Sequence, residues 1–400
     1  MKKRIMILGA SLLQLPAIVK AKDMGLEVVV VDMNSEAIGF KYSDYCLEIS
    51  TIDIPKIVEA AKIHCIDGIL TMATDMPIRS VAAVAKELHL NGVSEDTALL
   101  ATDKYLMRNA LHKQNVPVPE FYCVNNFRDF QYVSNSFPDS FIVKPVDSSG
   151  SRGVCKLNKS ISSSDLKRAY EYCMLYSRSK KIIVEEFMYG PEVSVESIVV
   201  NGEMKVAIIT DKLTSGEPFF VEMGHSQPSL LPEDVVKQVL SIAQDAIRAI
   251  ALDNSPAHTE VVVTKEGPKI VEIGARLGGD NIASHLVPLS SGIDLVQCCI
   301  NLALGLIPNT ERLHYMASAI RYFGALQGKI CEIDGVTAAE KLSGVKILCI
   351  NKSIDDISKI IQNSNDRVGY VISQANDPEG AIDICEEAIK LVTIHTQPLP

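Results

Sequence analysis

The chain contains no tryptophan, and aromatic residues make up 6% of its 400 positions. Stacking surfaces for carbohydrate or single-stranded nucleic acid are built from exposed rings, so neither kind of site is expected. Basic residues are also outnumbered, with 39 Lys and Arg against 49 Asp and Glu and a net charge of −10. Because neutralising many phosphates needs a basic surface, we expect no nucleic-acid partner. A local basic pocket for one small phosphorylated ligand is compatible with this charge.

Cysteines and long apolar runs are scarce as well. Ten cysteines in 400 residues are too dilute for a disulfide framework, and no C-x-x-C pair is present. The basic residues at 2–4 and the apolar run after them resemble a signal peptide, but no small-residue cleavage site follows. No run reaches the about 18–20 apolar residues of a membrane span. We therefore expect a cytoplasmic protein with reduced thiols and no membrane partner.

Strands and helices alternate over about the first 95 residues. Continuous apolar strands joined by helical crossovers predict a parallel sheet that is covered on both faces. A short strand at 92–93 and a helix over 103–114 follow, and the stiff run Val116–Pro119 predicts a linker. The strands of this part are expected at 4–8, 27–32, 46–49 and 67–71, and its helices at 12–24, 54–63 and 77–88.

After residue 120 the pattern changes to mixed α+β. Residues 210–227 are interpreted as a polar loop, and His395–Pro400 as a tail. Up to residue 312, strands are expected at 141–144, 153–157, 182–186, 192–200, 205–210, 258–264 and 269–273, and helices at 163–177, 232–251 and 294–304. Beyond it, strands are expected near 316–323, 345–350 and 368–373, and an amphipathic helix at 379–391.

The first strand leads into a turn, Gly9-Ala10-Ser11, and Asp32 ends the second strand. A dinucleotide fold places G-x-G-x-x-G here and an acid about 20 residues later for the ribose. Asp32 is suitably placed, but Ser11 and Gln14 occupy the second and third glycine positions. A side chain at the second position keeps the backbone away from a pyrophosphate, so a nicotinamide-dependent dehydrogenase is disfavoured.

A stronger phosphate signal lies between two predicted strands near the middle of the chain. The strand Phe141–Pro145 contains Lys144 and runs into a Ser- and Gly-rich loop at 147–154. Such a loop offers free N–H donors to the phosphates of a nucleotide, and Lys144 adds a point charge. The alternative is a plain hairpin with a solvated lysine.

Two groups of acids follow. Glu185 and Glu186 end a strand before a Gly-Pro turn and Glu192, where carboxylates suit an adenine amino group and ribose hydroxyls; an exposed charged hinge is the alternative. Glu260 and Glu272 lie on two apolar strands joined by a tight turn, so pairing brings both carboxylates to one end of the ladder. Adjacent carboxylates repel unless a cation separates them, and hard oxygen ligands are those Mg²⁺ prefers.

In this order, the motifs resemble the ATP-grasp superfamily, which includes biotin carboxylase, D-alanine–D-alanine ligase and the purine-pathway ligases. The resemblance covers about residues 1–312 clearly and the rest loosely. It implies an α/β and α+β protein with a Rossmann-like pre-ATP-grasp domain at 1–115. An ATP-grasp domain with two α+β subdomains would follow at 116–312, divided into a lid at about 120–187 and a metal and catalytic part at about 188–312. A small C-terminal α+β domain would take 313–400.

The resemblance also implies a role for each motif residue. Lys104 and Lys144 would contact ATP phosphates, and Arg276 would steady an anionic intermediate as the catalytic residue. Glu260 and Glu272 would bind Mg²⁺, with Mn²⁺ as an alternative. The remaining ATP contacts would come from the lid loop and the adenosine side: Ser149, Gly150, Ser151, Gly153, Glu185, Glu186, Phe187 and Glu192.

One position departs from the family pattern. The family often has Asn two residues after the second metal Glu, and Gly274 stands there. The run from Glu272 to Gly279 is similar to the E-x-x-A-R segment of the L-amino-acid ligases, which favours an amino acid or another small carboxylate as substrate. Substrate contacts are expected from His225, Asp75 and Arg321.

The implied activity is an ATP-dependent carboxylate–amine, or carboxylate–thiol, ligase that forms an acyl phosphate and releases ADP and phosphate. One alternative is a purine-type or carboxylase-type enzyme acting on a ribonucleotide or bicarbonate. Another is an ATP-binding regulatory protein without turnover, which the metal acids and Arg276 argue against. By analogy with the family, the small-molecule ligase is expected to be a homodimer.

Overall fold

A parallel sheet forms the N-terminal part of the chain, in a computed structural model that describes residues 2–148, 150 and 152–398. Its strands have the order β3-β2-β1-β4, and strand residues 5–8 and 28–31 are fully buried, which explains their continuous apolar runs. The elements are β1 (Arg4–Leu8), α1 (Leu15–Asp23), β2 (Glu27–Asp32), β3 (Tyr45–Glu48), α2 (Ile54–Ile63), β4 (Gly68–Leu70) and α3 (Ile78–Leu88).

Two sequence predictions in this part were wrong in detail. Helix α1 begins at Leu15 rather than at residue 12, because residues 12–14 form a turn in which Gln14 accepts hydrogen bonds from Ser11. Residues 92–93 form no strand, and Val93 packs as a buried loop residue instead. Two short helices follow, α4 (Glu95–Leu100) and α5 (Lys104–Lys113). The Asp103 side chain caps α5 by accepting from the backbone N–H groups of the next turn.

The second unit is a four-stranded antiparallel sheet with the order β5-β8-β6-β7. The first strand and the first helix of this unit were not predicted, because each is too short to show a clear hydrophobic period. The elements are β5 (Phe121–Val124), α6 (Phe127–Ser134), β6 (Ser140–Pro145), β7 (Cys155–Asn158), α7 (Ser163–Tyr176) and β8 (Ile182–Glu186).

An eight-stranded sheet with the order β13-β12-β9-β10-β11-β14-β18-β16 forms the centre of the molecule, and all seven pairs of neighbouring strands are antiparallel. Its first part contains β9 (Glu192–Val200), β10 (Glu203–Thr214), β11 (Glu222–Gln227), α8 (Glu233–Ala249), β12 (Ser255–Thr264), β13 (Gly267–Gly274), a π-helical turn (Ile282–Leu286), α9 (Val287–Ser291) and α10 (Leu295–Ala303).

The C-terminal part completes this sheet and adds a three-stranded one with the order β17-β15-β19. Strands on both sides of residue 313 thus share one sheet, through the pairing of β11 with the first strand that follows that residue. The elements are β14 (Ala317–Phe323), β15 (Gly328–Asp334), α11 (Val336–Glu340), β16 (Val345–Ile350), β17 (Ile357–Ser358), β18 (Gly369–Ala375), α12 (Pro378–Leu391) and β19 (Thr393–Gln397).

Two segments predicted as irregular are strands. Residues 210–227 were expected to form a polar loop, yet β10 continues to Thr214 and β11 covers Glu222–Gln227. The expected tail begins inside β19, which pairs with β15. Both segments carry polar residues on both faces of the strand, so the period-2 alternation that marks a half-buried strand is missing.

One apolar core joins the N-terminal sheet to the central one. It contains strand residues of β1 and β2, helix α10, and Ile198 and Ile208 of the central sheet. Packing of this kind places the end of β4 beside the central sheet. Within the described residues, no single helix is long and apolar enough to cross a membrane, although the bent pair Ile282–Ser291 and Leu295–Ala303 passes that test together.

Candidate functional site

A row of polar side chains crosses one face of the central sheet. Glu272 of β13 lies directly opposite Glu260 of β12, and Glu260 lies opposite Ser194 of β9, which in turn faces Thr210 of β10. Directly opposed residues in antiparallel strands share a face, so these side chains form one line. The predicted pairing of the two acids on one face is therefore present in the structure.

Each of the two glutamates has a cation as its neighbour. Lys104, the first residue of α5, places Nζ 2.9 Å from Oε2 of Glu272. Glu260 Oε1 lies 3.2 Å from Nε2 of His258 and 3.4 Å from Nζ of Lys212. Burial alone would raise the pKa of Glu260, but Lys212 and His258 outweigh it and hold that pKa well below its usual range. Glu260 is thus ionised, and both carboxylates lie on the face where a divalent ion could reach them.

Lys212 is a site residue whose part the sequence reasoning did not identify. Its Nζ lies 2.6 Å from Glu192, 2.9 Å from Glu222 and 3.4 Å from Glu260, and only 5% of its side chain is exposed. These carboxylates raise the pKa of Lys212 well above its ordinary value, against the effect of burial. The available signal was that Lys212 lies two residues beyond a predicted strand. Because residues 210–227 were interpreted as a loop, Lys212 was not placed on the strand.

A second buried charge group joins the four-stranded sheet β5-β8-β6-β7, here called the lid sheet, to α5. Lys144 Nζ lies 2.5 Å from Oε2 of Glu185, and Nε of Arg108 donates to Oε1 of Glu185 at 2.6 Å. Burial would raise the pKa of Glu185, but the two cations lower it below the usual range. Arg108 also donates to the carbonyl of Val271, next to Glu272. The carboxylate of Glu185 therefore binds the two cations. The part of Arg108 in this group was not predicted from the sequence.

The adenosine-side candidates lie where the lid meets the central sheet. Glu186 accepts from Lys269 at 3.3 Å, and its backbone N–H donates to the carbonyl of Glu120. The ring of Phe187 lies under the ammonium group of Lys156, with Nζ 3.9 Å from its centroid. Glu192 stands at the start of β9 with its carboxylate on Lys212. Glu186, Phe187 and Glu192 are all partly exposed, as a small-ligand site requires.

The predicted phosphate loop is described in part. Ser149 and Ser151 lie outside the described residues. Gly150 and Gly153 have φ values of +65° and +76°, which L side chains rarely adopt. A Cβ at Gly153 would also lie 2.9 Å from the Pro145 ring. Lys104 Nζ donates to the carbonyl of Ser148 at 2.9 Å, so a candidate phosphate ligand touches the start of the loop.

Arg276 is held from the N-terminal unit. Its Nε donates to Oδ1 of Asp75 at 2.7 Å, and the backbone N–H of Ala73 donates to the carbonyl of Leu277. Burial would lower the pKa of Arg276, but Asp75 and Glu272 raise it above its ordinary value. Asp75 was predicted to contact substrate, and the structure uses its carboxylate to fix Arg276.

The remaining two substrate candidates differ in their surroundings. Neither ring nitrogen of the buried His225 has a hydrogen-bond partner, and Nε2 lies 3.6 Å from Oδ2 of Asp280. Asp280 is bound bidentately by Arg367, at 2.7 and 2.8 Å. Arg321 instead donates through Nε to Glu386 at 2.7 Å and through Nη1 to backbone carbonyls, including that of His225. Arg367, rather than Arg321, is thus the C-terminal arginine beside Asp280, and sequence reasoning missed it.

The first turn of the chain is filled by two of its own side chains. The Gln14 side chain packs on Gly9, where an added Cβ would lie 2.8 Å from Gln14 Cδ. Oδ2 of Asp32 accepts from the Ala10 backbone N–H at 2.8 Å, so this acid holds the turn. These contacts agree with the prediction from the missing glycines.

The sheet with its acidic pair and the lid beside it match a known family. Residues 137–284 match the ATP-grasp domain, and residues 321–397 match the L-amino acid ligase C-terminal domain 2. The chain thus contains an ATP-grasp domain, followed by a domain like those at the C-terminus of L-amino acid ligases. The predicted superfamily, fold class and enzyme class are confirmed.

Individual relatives are similar at low identity. The alanine–anticapsin ligase of Bacillus subtilis is 26% identical over 268 residues, which cover 62% of this chain and 56% of that protein's length. The L-amino acid ligase structure from Bacillus licheniformis superposes with a TM-score of 0.84 at 20% identity and 99% coverage of both chains. Phosphoribosylglycinamide synthetase from Anaerococcus prevotii gives a TM-score of 0.80 at 22% identity, covering 99% of this chain and all of that one.

ATP-grasp enzymes use ATP and Mg²⁺, and the described residues fit such an ion. The carboxylates of Glu260 and Glu272 lie opposite each other on β12 and β13, and each has a lysine ammonium group within 3.4 Å. The Oγ atom of Ser194, opposite Glu260, is buried without a hydrogen-bond partner. An unpaired polar atom beside hard oxygen ligands suits a metal-bound water.

Proposed function

We propose that the chain is an ATP-dependent carboxylate–amine ligase that acts on an amino acid or another small carboxylate and releases ADP and phosphate. The observation that carries the proposal is the cross-strand pair Glu260 and Glu272, with Arg276 buried on Asp75 beside it. The match of 321–397 to an L-amino acid ligase domain supports the substrate class. The names of two relatives, ligases of amino acids, support it further.

The nucleotide would lie between the lid sheet and the central sheet. Lys104 and Lys144 would bind its phosphates together with the loop residues Ser149, Gly150, Ser151 and Gly153. Glu185, Glu186, Phe187 and Glu192 would line the adenosine side, Glu185 chiefly by fixing Lys144. We add Lys212 as a third phosphate ligand, because its ammonium group lies 3.4 Å from Glu260, the proposed metal ligand.

Glu260 and Glu272 would hold Mg²⁺, or Mn²⁺ in its place. When bound, the ion would neutralise charge on the phosphates during transfer. The residues of the chain would do the rest: the lysines would align the γ-phosphate with the substrate carboxylate, whose oxygen attacks phosphorus to give an acyl phosphate and ADP. The amine would then attack the acyl carbon, and phosphate would leave.

Arg276 would stabilise the oxyanion that forms when the amine attacks. Its guanidinium is pre-oriented by Asp75, so little reorganisation is needed at that step. The lid would exclude water, because an exposed acyl phosphate hydrolyses. Positive φ values at Gly150 and Gly153 allow the loop its turn.

The substrate would meet His225 and the acids near it. Ligating atoms of Glu222, His225 and Asp280 lie within 4.8 Å of one another, and both His225 ring nitrogens lack partners. Such a group suits the ammonium of an amino acid. Asp75 and Arg321 would act indirectly, the first through Arg276 and the second through the carbonyl of His225.

The test is release of phosphate from Mg-ATP across a panel of single and paired amino acids, with ADP and AMP resolved. We expect ADP and phosphate to appear only with a particular pair. AMP and pyrophosphate would contradict the acyl-phosphate route. ADP formed only with a ribonucleotide or bicarbonate would favour a purine-type or carboxylase-type enzyme, and ATP binding without turnover would favour a regulatory protein. A homodimer and a cytoplasmic location stay predictions, the first to be tested by light scattering.

A further inference from the structure

Glu196 is a fully buried carboxylate that the proposed reaction does not use. It lies on β9, the strand between β12 and β10, with no exposed surface. Oε1 is hydrogen-bonded to Nδ1 of His258, the residue directly opposite on β12, and Oε2 accepts from the backbone N–H of Gly278 at 2.9 Å. A buried charge persists only where its partners are well placed, so these contacts are specific.

His258 connects this carboxylate to a metal-binding candidate. Its Nδ1 is bonded to Glu196, and its Nε2 lies 3.2 Å from Oε1 of Glu260. Residues two positions apart on one strand point to the same face of the sheet. His258 and Glu260 have this spacing, in agreement with their contact. The His258 side chain is 8% exposed, and each of its ring nitrogens faces a carboxylate, which holds the orientation of the ring. Glu260 therefore receives its position from Glu196 through His258.

Gly278 connects the same carboxylate to Arg276. A Cβ at Gly278 would lie 2.4 Å from Oε1 of Glu196 and 2.8 Å from Nδ1 of His258. Only glycine allows the backbone to approach that closely. The hydrogen bond from Gly278 to Glu196 therefore fixes the segment from Arg276 to Gly278. On its other side, Arg276 is held by Asp75.

We propose that Glu196 and His258 are positioning residues that hold the metal-binding Glu260 and the segment bearing Arg276 in one fixed relation. The inference rests on the proposed function, because it assigns Glu260 to the metal and Arg276 to the intermediate. Outer partners of metal ligands typically change metal affinity or activity by about 10–100-fold when they are removed. We expect a change of that size here.

The experiment measures Mn²⁺ binding to the full chain with ADP present, from the free Mn²⁺ signal in electron paramagnetic resonance. His258→Ala and Glu196→Gln are expected to raise the Mn²⁺ dissociation constant by about 10-fold or more. The affinity for ADP in EDTA should stay at the wild-type value, because neither residue touches the nucleotide site directly. In turnover assays, kcat should fall while KM for the amine substrate changes little. Gly278→Ala, which pushes on both side chains, should reproduce the defect.

The control is His314→Asn, a histidine in the segment before β14, which should match wild type throughout. Wild-type Mn²⁺ affinity in both variants would overturn the inference. So would an equal loss of Mn²⁺ binding, ADP binding in EDTA and thermal stability, since that pattern means only a weakened fold. Should Glu196→Gln fail to fold, His258→Gln and Gly278→Ala still decide. Failure of the wild-type chain itself to bind Mn²⁺ with ADP would instead overturn the proposed function.

Discussion

The stability of the chain should depend on pH through His258. Burial alone would lower the pKa of His258, but the neighbouring carboxylate of Glu196 outweighs this and raises the pKa from 6.5 to about 9. A difference of about 2.5 between the folded and unfolded pKa values is equivalent to about 3 kcal/mol. Because the folded value is the higher one, this stabilisation is complete below pH 6.5 and is lost as the pH rises through about 9.

The assay is urea unfolding followed by circular dichroism, since the chain has no tryptophan. It is run in EDTA without nucleotide, at several pH values across this window. His258→Gln keeps a polar side chain but takes up no proton, so the difference in unfolding free energy between it and wild type isolates the histidine. We expect that difference to shrink by about 3 kcal/mol as the pH rises. A difference that is flat across the window, or that grows with pH, would refute the reasoning.

The other predictions concern single side chains. Glu272→Ala should abolish Mg²⁺-dependent phosphate release with an unchanged dichroism spectrum, and retained activity would remove its metal role. Arg276→Ala should lower kcat by about 100–1,000-fold, more than it changes the ATP dissociation constant. A loss confined to ATP binding would contradict the role of Arg276 in stabilising the oxyanion. Lys144→Ala should weaken ATP binding in calorimetry, and an unaltered constant would count against the phosphate assignment. Arg108→Met should cost about 1–3 kcal/mol in urea unfolding, because Glu185 and the Val271 carbonyl each lose a donor while Glu185 keeps Lys144; a cost below about 0.5 kcal/mol contradicts this.

Local pattern was sufficient for much of the fold. The apolar runs at 4–8 and 27–32 predicted buried parallel strands, and residues 5–8 and 28–31 of these strands are fully buried. The tight turn between β12 and β13 predicted that Glu260 and Glu272 would meet at one end of the ladder. A one-residue shift of the register between Glu260 and Val261 then places the two acids directly opposite each other. The prediction for residues 210–227 was wrong because β11 has polar residues on both faces, so its sequence shows neither alternation nor an apolar run.

The sequence by itself determined which chemistry the chain carries: the lysines, the glycine-rich loop and the paired acids are local motifs with fixed spacing. Only the tertiary structure decided what those groups touch. Asp75 and Arg276 are 201 positions apart, and Arg108 and Glu185 are 77 apart. The partner of a buried charge is set by which elements pack together, and that depends on the whole core. The packing of the central sheet brings together three site residues that lie far apart in the chain: Glu196, Lys212 and Arg367.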